Sequence, residues 1–120
     1  MDCLFCKIVN GEIPSYKIYE DEYVFCFLDI NPKSNGHTLI IPKKHFKDLN
    51  DIDNDYLFKI HETSKKISKL INEKLNPNGI QIVQNNGVIQ EVKHYHLHLI
   101  PIYNKNDKMS VEDVYKMFTK

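Results

Sequence analysis

The stretch that decides the fold is "VKHYHLHLIP", residues 92–101, which places a histidine at every second position: His94, His96 and His98. The positions between them are apolar or aromatic: Tyr95, Leu97 and Leu99. Because alternate side chains of a β-strand point to opposite faces, this period predicts a strand with one apolar face and one imidazole face. Imidazoles in register repel one another once they are protonated near pH ~6.5. The repetition therefore favours a functional site over an ordinary half-buried strand.

The rest of the chain predicts a mixed α and β domain. Short runs rich in Ile, Val, Tyr and Phe predict strands at residues 17–20, 23–29, 37–41, 80–84 and 95–100. Apolar residues at three-four spacing from Leu57 to Leu75 predict one long helix, and Ser110-x-x-Asp113 caps a shorter C-terminal helix. We expect a single α+β domain, residues 1–120, with an antiparallel sheet of about five strands and helices against one face.

Composition excludes several classes of partner. Sixteen basic residues balance sixteen acidic ones, so no overall field attracts a nucleic acid polymer or an anionic membrane. The sequence has neither a signal peptide nor a long apolar run, and we expect a cytoplasmic protein. Every basic residue is lysine. Because arginine is absent, any phosphate site must use histidine, lysine or backbone amides.

The three cysteines fall into two groups. Cys26 lies in the apolar run "YVFCFL" and is predicted to be a buried, inert thiol. Cys3-x-x-Cys6 is typical of metal or redox chemistry instead, since an odd number of cysteines without an export signal does not suggest a disulfide framework.

The spacing of the histidines argues against a metal held by all three. Strand geometry separates the α-carbons of His94 and His98 by about 13 Å. We therefore expect a histidine at one end of the row to bind a metal and the remaining histidines to bind a substrate. Cys3 and Cys6 could share a zinc ion with two histidines. His61 is predicted to face solvent on the long helix, and His45 is the better candidate for a loop ligand.

The motifs together resemble the histidine triad (HIT) family of nucleotide hydrolases and transferases. "HYHLHLI" matches the family signature of histidines alternating with apolar residues. Further matches occur in order along residues 1–101: "CLFCKIVNGEIP", "YEDE", "FLDINP", "GHTLIIPKKH", "QNNG" and "QEVKHYHLHLIP". The pattern is similar to the Hint branch, whose members hydrolyse adenosine phosphoramidates and related purine nucleotide conjugates.

The resemblance implies a role for each histidine of the site. His96 corresponds to the nucleophile, which attacks phosphorus as a neutral imidazole and forms a nucleotidyl-His96 intermediate. His98 and His37 correspond to residues that bind the α-phosphate and manage protons. The backbone carbonyl of His94 accepts a hydrogen bond from the nucleophile, while its side chain completes a structural zinc site in zinc-bearing relatives. That site would comprise Cys3, Cys6, His45 and His94.

The resemblance also implies a nucleotide pocket and a homodimer. Asp29 corresponds to the carboxylate that binds both ribose hydroxyls of AMP or GMP. The residues that correspond to the walls around the base are Phe5, Ile8, Phe27 and Ile30. Those expected near the ribose, phosphate or leaving group are Asn85, Gln90, Glu91, His96 and His98.

Two departures from the family pattern leave alternatives open. Only two residues separate Gly87 from Gln90, so the loop beside the phosphate is shorter than usual in the family. Glu91 replaces a serine or threonine and adds negative charge where a phosphate or leaving group would lie. The alternatives to a purine nucleotide phosphoramidase are a dinucleoside polyphosphate hydrolase and a zinc-stabilised, nucleotide-binding regulatory module with little activity.

Overall fold

The computed structural model describes residues 3–105 and 107–119, and within them it has the predicted α+β fold. The ends of the expected domain, Met1, Asp2 and Lys120, lie outside the described residues. Five strands are described: β1 (Tyr16–Glu20), β2 (Val24–Leu28), β3 (Thr38–Pro42), β4 (Gly79–Gln84) and β5 (Leu97–Ile102). Three α-helices accompany them: α1 (Leu4–Val9), α2 (Asn54–Leu75) and α3 (Val111–Phe118). A 3₁₀ turn covers Gly87–Ile89.

The strands form one sheet in the order β1-β2-β3-β5-β4, and every neighbouring pair is antiparallel. The long helix α2 begins after Asp53, whose side chain accepts a hydrogen bond from the amide of Tyr56. It ends at Asn76, which adopts the left-handed conformation (φ 48°) and breaks the helical repeat. Ser110 caps α3 by accepting from the amide of Asp113, as its sequence predicts.

Both faces of the sheet are covered: the two predicted helices share one face, as expected, and a third helix that was not predicted covers the other. Helices α2 and α3 pack on one face against a core that includes Cys26, a fully buried thiol whose pKa burial raises. The unpredicted helix α1 packs on the other face, where Phe25, Phe27, Leu39 and Ile41 form a second apolar layer. The α1 face is the face that carries the histidines.

The histidine strand starts later than predicted, at Leu97 rather than Tyr95. The last β3–β5 pair is Ile40 with Leu97, two residues before Pro42. Since proline has no amide hydrogen, Pro42 cannot donate to a continuing ladder, and its carbonyl oxygen accepts a hydrogen bond from the His94 ring instead (2.8 Å). Of the three alternating histidines, only His98 therefore lies within the strand, and the prediction of three on one strand face was wrong.

No described helix combines the length and apolar character that crossing a bilayer requires.

Candidate active site and metal centre

The short helix α1 supplies residues to two neighbouring sites. Cys3 caps it, its sulfur accepting from the amide of Cys6 (3.3 Å). Phe5 and Ile8 lie three residues apart and are buried on the opposite side of the helix from solvent. At six residues the helix is too short for a clear periodic signal, but the paired i, i+3 spacings of Cys3/Cys6 and Phe5/Ile8 could have indicated it.

His96 is fixed in one tautomer by the backbone of the residue two positions before it. Its Nδ1–H donates to the carbonyl oxygen of His94 over 2.8 Å. In a neutral imidazole with a proton on Nδ1, Nε2 carries an unprotonated lone pair. The ring is 4% exposed and packs edge-on against Phe5, with ring centroids 5.1 Å apart. The structure thus holds an oriented, neutral imidazole whose Nε2 has no hydrogen-bond partner among the described residues.

His37 and His98 form a second oriented pair. The backbone amide of Lys33 donates to Nδ1 of His37 (3.1 Å), which leaves the proton of that ring on Nε2. His37 Nε2–H then donates to Nδ1 of His98 (2.9 Å). His98 must in turn carry its proton on Nε2, where no hydrogen bond from a described residue occupies it. The hydrogen bonds from Lys33 to His37 and from His37 to His98, the Lys33–His37 relay, thus leave an N–H donor on His98. The ring centroids of His98 and His96 are 4.9 Å apart.

Burial keeps these three rings neutral at pH 7. Desolvation lowers the pKa of His37 and the pKa of His96 below the usual value for histidine. For His98, burial and the neighbouring histidines lower the pKa to about 4. Asp29 and Glu91 oppose this effect at His96, since their negative charges favour its protonated form. In the free site the three rings are therefore donors and acceptors of fixed direction rather than cations.

His96 and His98 lie where two cavities meet. The first, of about 250 Å³, is mainly apolar and has Phe5, Ile8, Phe27, Leu39 and Val92 among its walls. The second, of about 210 Å³, has a more polar lining: Asn31, Lys33, His37, Val83, Asn85 and Ile100 contribute to it. Asp29, Asn31, Glu91, His96 and His98 line both. The junction can hold a reacting group whose two substituents have different polarity.

Asp29 lies at this junction with one carboxylate oxygen already engaged. Its Oδ1 accepts from the amide of Asn31 (2.9 Å), a local turn that fixes the side chain. Its Oδ2 lies 3.7 Å from Nε2 of His37, too far for a hydrogen bond. Oδ2 is therefore oriented but available to accept from hydroxyl groups.

The expected metal ligands converge on the far side of α1. The ligand atoms of Cys3, Cys6, His45 and His94 all lie within 4.8 Å of one another. Nδ1 of His94 is 3.4 Å from the sulfur of Cys3, 3.5 Å from that of Cys6 and 3.2 Å from Nδ1 of His45. A tetrahedral zinc ion would separate sulfur from nitrogen by about 3.5 Å and two nitrogens by about 3.3 Å. The spacing fits zinc.

The hydrogen bond on the other nitrogen of His94 supports the same conclusion. Because His94 Nε2–H donates to the carbonyl of Pro42, Nδ1 is unprotonated and faces the cysteines. Without a cation the Cys6 thiol would stay protonated, since burial and neighbouring Cys3 raise its pKa to about 11. A divalent ion would favour the thiolate form.

A second cluster, Asp29, His37 and His98, also has ligand atoms within 4.8 Å of one another. Here the tautomers argue against a metal. The Lys33 amide occupies Nδ1 of His37, so the nitrogen that faces the cluster carries a proton and donates it. The test that a metal passes at His94 therefore fails at His37, and the two histidines of this cluster present N–H donors instead.

The remaining candidates for nucleotide binding differ in placement. Ile30 lines the apolar cavity although it is 70% exposed, and Asn85 lines the polar one. Gln90 lines neither cavity: its side chain is buried and donates to the carbonyl of Lys47 (2.6 Å). Its Oε1 has no partner among the described residues. Gln90 anchors the loop before the histidines, a tertiary role that "IQEV" does not reveal.

The five-stranded antiparallel sheet and the three adjoining histidines beside an apolar cavity define the histidine triad class of proteins. The chain belongs to the HIT family: the profile of the HIT domain matches residues 10–105. A HIT-like protein of Methanocaldococcus jannaschii is 48% identical over 84% of this chain and 79% of its own length. The adenosine 5'-monophosphoramidase HNT1 of Saccharomyces cerevisiae is 46% identical over 90% of this chain and 65% of its own.

Solved structures give the same relationship. The crystal structure of a Zn-bound histidine triad family protein from Mycobacterium smegmatis is 35% identical, with a TM-score of 0.89. The match covers 98% of this chain and 91% of that one.

Proposed function

We propose that this protein is a purine nucleotide phosphoramidase that acts through a covalent nucleotidyl-His96 intermediate. The observation that carries the proposal is the unprotonated Nε2 of His96 at the junction of the two cavities. The name of the yeast relative, adenosine 5'-monophosphoramidase, supports the substrate class. The apolar cavity would take the base, Asp29 the ribose hydroxyls, and the polar cavity the leaving group.

In the first step, the lone pair of His96 Nε2 attacks the α-phosphorus. Binding of the phosphoramidate monoanion favours uptake of one proton by His98 at Nδ1, since the negative charge raises the low pKa of that ring, and this proton replaces the hydrogen bond that Nδ1 accepts from His37. As the N–P bond to His96 forms, the bond from phosphorus to the leaving nitrogen breaks. The leaving nitrogen takes the electron pair of that bond and the proton from His98 Nε2. The products are a neutral amine and a nucleotidyl-His96 imidazolium.

In the second step, water attacks the same phosphorus. His98 accepts a proton from the water, the N–P bond breaks, and its electron pair returns to Nε2 of His96. The nucleoside monophosphate leaves with a hydroxyl oxygen from water, and His98 again carries the proton that the first step consumes. The His94 carbonyl stabilises the imidazolium throughout because it accepts the Nδ1–H of His96 (2.8 Å).

Zinc is proposed as a structural ion held by Cys3, Cys6, His45 and His94. When bound it supplies a cross-link between α1, the segment after β3 and the segment before β5, and no step of the reaction passes through it. Its support is the ligand spacing and the zinc-bound relative.

The test of the function is turnover on a panel of adenosine conjugates. We expect the purified protein to release AMP from adenosine phosphoramidate, with kcat/KM at least tenfold higher than for a dinucleoside polyphosphate. The reverse preference would favour the dinucleoside polyphosphate hydrolase. Tight AMP binding without turnover of any conjugate would contradict the proposed enzymatic activity. It would favour the regulatory module, in which the shortened loop between Gly87 and Gln90 no longer supports catalysis.

A homodimer is also proposed, on the basis of an uncovered sheet edge. Within residues 3–105 and 107–119, strand β4 has one partner strand, and Ile82 in its middle is 53% exposed. The neighbouring 3₁₀ turn exposes Val88 and Ile89. Pairing of two such edges would cover open backbone groups and apolar surface together. Sedimentation velocity should give twice the chain mass for the wild type and a smaller species for Ile82→Lys; a wild-type monomer at all concentrations would contradict the proposal.

A further inference from the structure

We infer that Glu91 sets the leaving-group preference of the site, selecting a positively charged amine over an anionic group against the opposing charge of Lys33. The inference rests on the proposed function, because it concerns the polar cavity that would hold the leaving group. Glu91 lines both cavities beside His96, and Lys33 lines the polar one beside His37 and His98.

The charges around the junction favour this preference. Asp29 and Glu91 bring two negative charges to the linings of the two cavities, and Lys33 is the one cation lining either of them in the described ranges 3–105 and 107–119. Lys93 follows in sequence but donates to the carbonyl of Gly87 (2.6 Å), outside both linings.

A leaving group that carries an ammonium therefore meets a carboxylate beside the reacting phosphorus, whereas a polyphosphate or carboxylate meets repulsion from Glu91. The proposed function assigns Asp29 to the ribose, and its Oδ1 already accepts from the amide of Asn31. Glu91 has no such commitment: its side chain is exposed and no hydrogen bond within the described residues occupies it. Its charge is thus available to the group that departs.

The test compares two adenosine phosphoramidates of similar size, one whose leaving amine ends in an ammonium and one whose leaving amine ends in a carboxylate. The quantity measured is the ratio of their kcat/KM values, cationic over anionic. We expect Glu91→Gln to lower this ratio about tenfold. The substitution removes a negative charge that attracts the ammonium of one substrate and repels the carboxylate of the other through a medium of high dielectric constant. Lys33→Gln should change the ratio in the opposite direction, raising it severalfold.

The matched control is Glu22→Gln, which removes the same charge from an exposed turn that lines neither cavity. Its ratio should equal that of the wild type, and the effect of Glu91→Gln should shrink as salt is added. Equal ratios in wild type and Glu91→Gln, with both substrates turned over, would overturn this inference and leave the phosphoramidase intact. If the wild type turned over neither substrate, both this inference and the proposed phosphoramidase function would be overturned.

Discussion

Replacing His96 with alanine should lower kcat/KM for adenosine phosphoramidate at least about a thousandfold. The reason is the loss of the His96 ring, which lines both cavities and whose hydrogen bond through Nδ1 leaves Nε2 with an unprotonated lone pair. His98 does not replace it, because the Lys33–His37 relay fixes a proton on the His98 nitrogen that faces the site. The measurement is steady-state release of AMP over a range of substrate concentrations.

Two controls make that result specific. His61→Ala removes a histidine that is exposed on α2, as its sequence position predicts, and should leave the kinetics unchanged. Binding of AMP to His96→Ala, measured by calorimetry, reports whether the cavity survives the loss of a ring that packs against Phe5. Turnover of His96→Ala within tenfold of the wild type, with AMP binding intact, would exclude His96 as the nucleophile.

Replacing Cys3 with serine should abolish stoichiometric zinc binding and lower Tm by about 10 °C or more, because a structural zinc site contributes its binding free energy to folding. The purified wild type should contain one zinc per chain. Cys3 is buried at the start of α1, and its sulfur lies 3.4 Å from the ring of His94. Zinc content by elemental analysis and thermal unfolding are the two readouts.

Cys26→Ala is the matched control for the zinc prediction. It deletes a fully buried thiol on the other face of the sheet, where the cavity left behind lowers stability but no metal ligand is lost. Zinc content should stay at one per chain in that variant and fall to zero in Cys3→Ser. A wild type that contains no metal, or Cys3→Ser protein that retains it, would refute the structural zinc.

His94 connects the two sites through different atoms. Its ring belongs to the candidate metal cluster, and its carbonyl oxygen fixes the tautomer of His96. Because the hydrogen bond from His94 Nε2 to Pro42 holds the residue in place, the orientation of the His96 ring depends on the same segment that a zinc ion would cross-link. Rigid support of this kind keeps a reactive group in productive geometry.

Much of the fold follows from local signals. The period of two in the histidine segment and the three-four period from Leu57 to Leu75 predict the strand and the long helix, since each is long enough to repeat. The turn residues Asn76 and Asp53 end and begin α2 where their side-chain chemistry favours it. These are properties of short stretches of chain, which a sequence displays directly.

What the sequence did not predict depends on contacts between distant segments. Helix α1 is short, and the α1 face of the sheet stabilises it through Phe5 and Ile8 rather than through its own periodicity. The start of β5 depends on Pro42, more than fifty residues earlier, and the role of Gln90 depends on the carbonyl of Lys47. The direction of each imidazole likewise follows from one tertiary or backbone hydrogen bond.

The covalent nucleotidyl-His96 intermediate is tested most directly by the mass of the intact protein quenched within milliseconds of mixing with adenosine phosphoramidate. We expect a population heavier by one adenylyl group. Peptide fragmentation should map the group to His96, and His96→Ala protein should lack it. Turnover at full rate with no adduct at any quench time, or an adduct on a different residue, would contradict it.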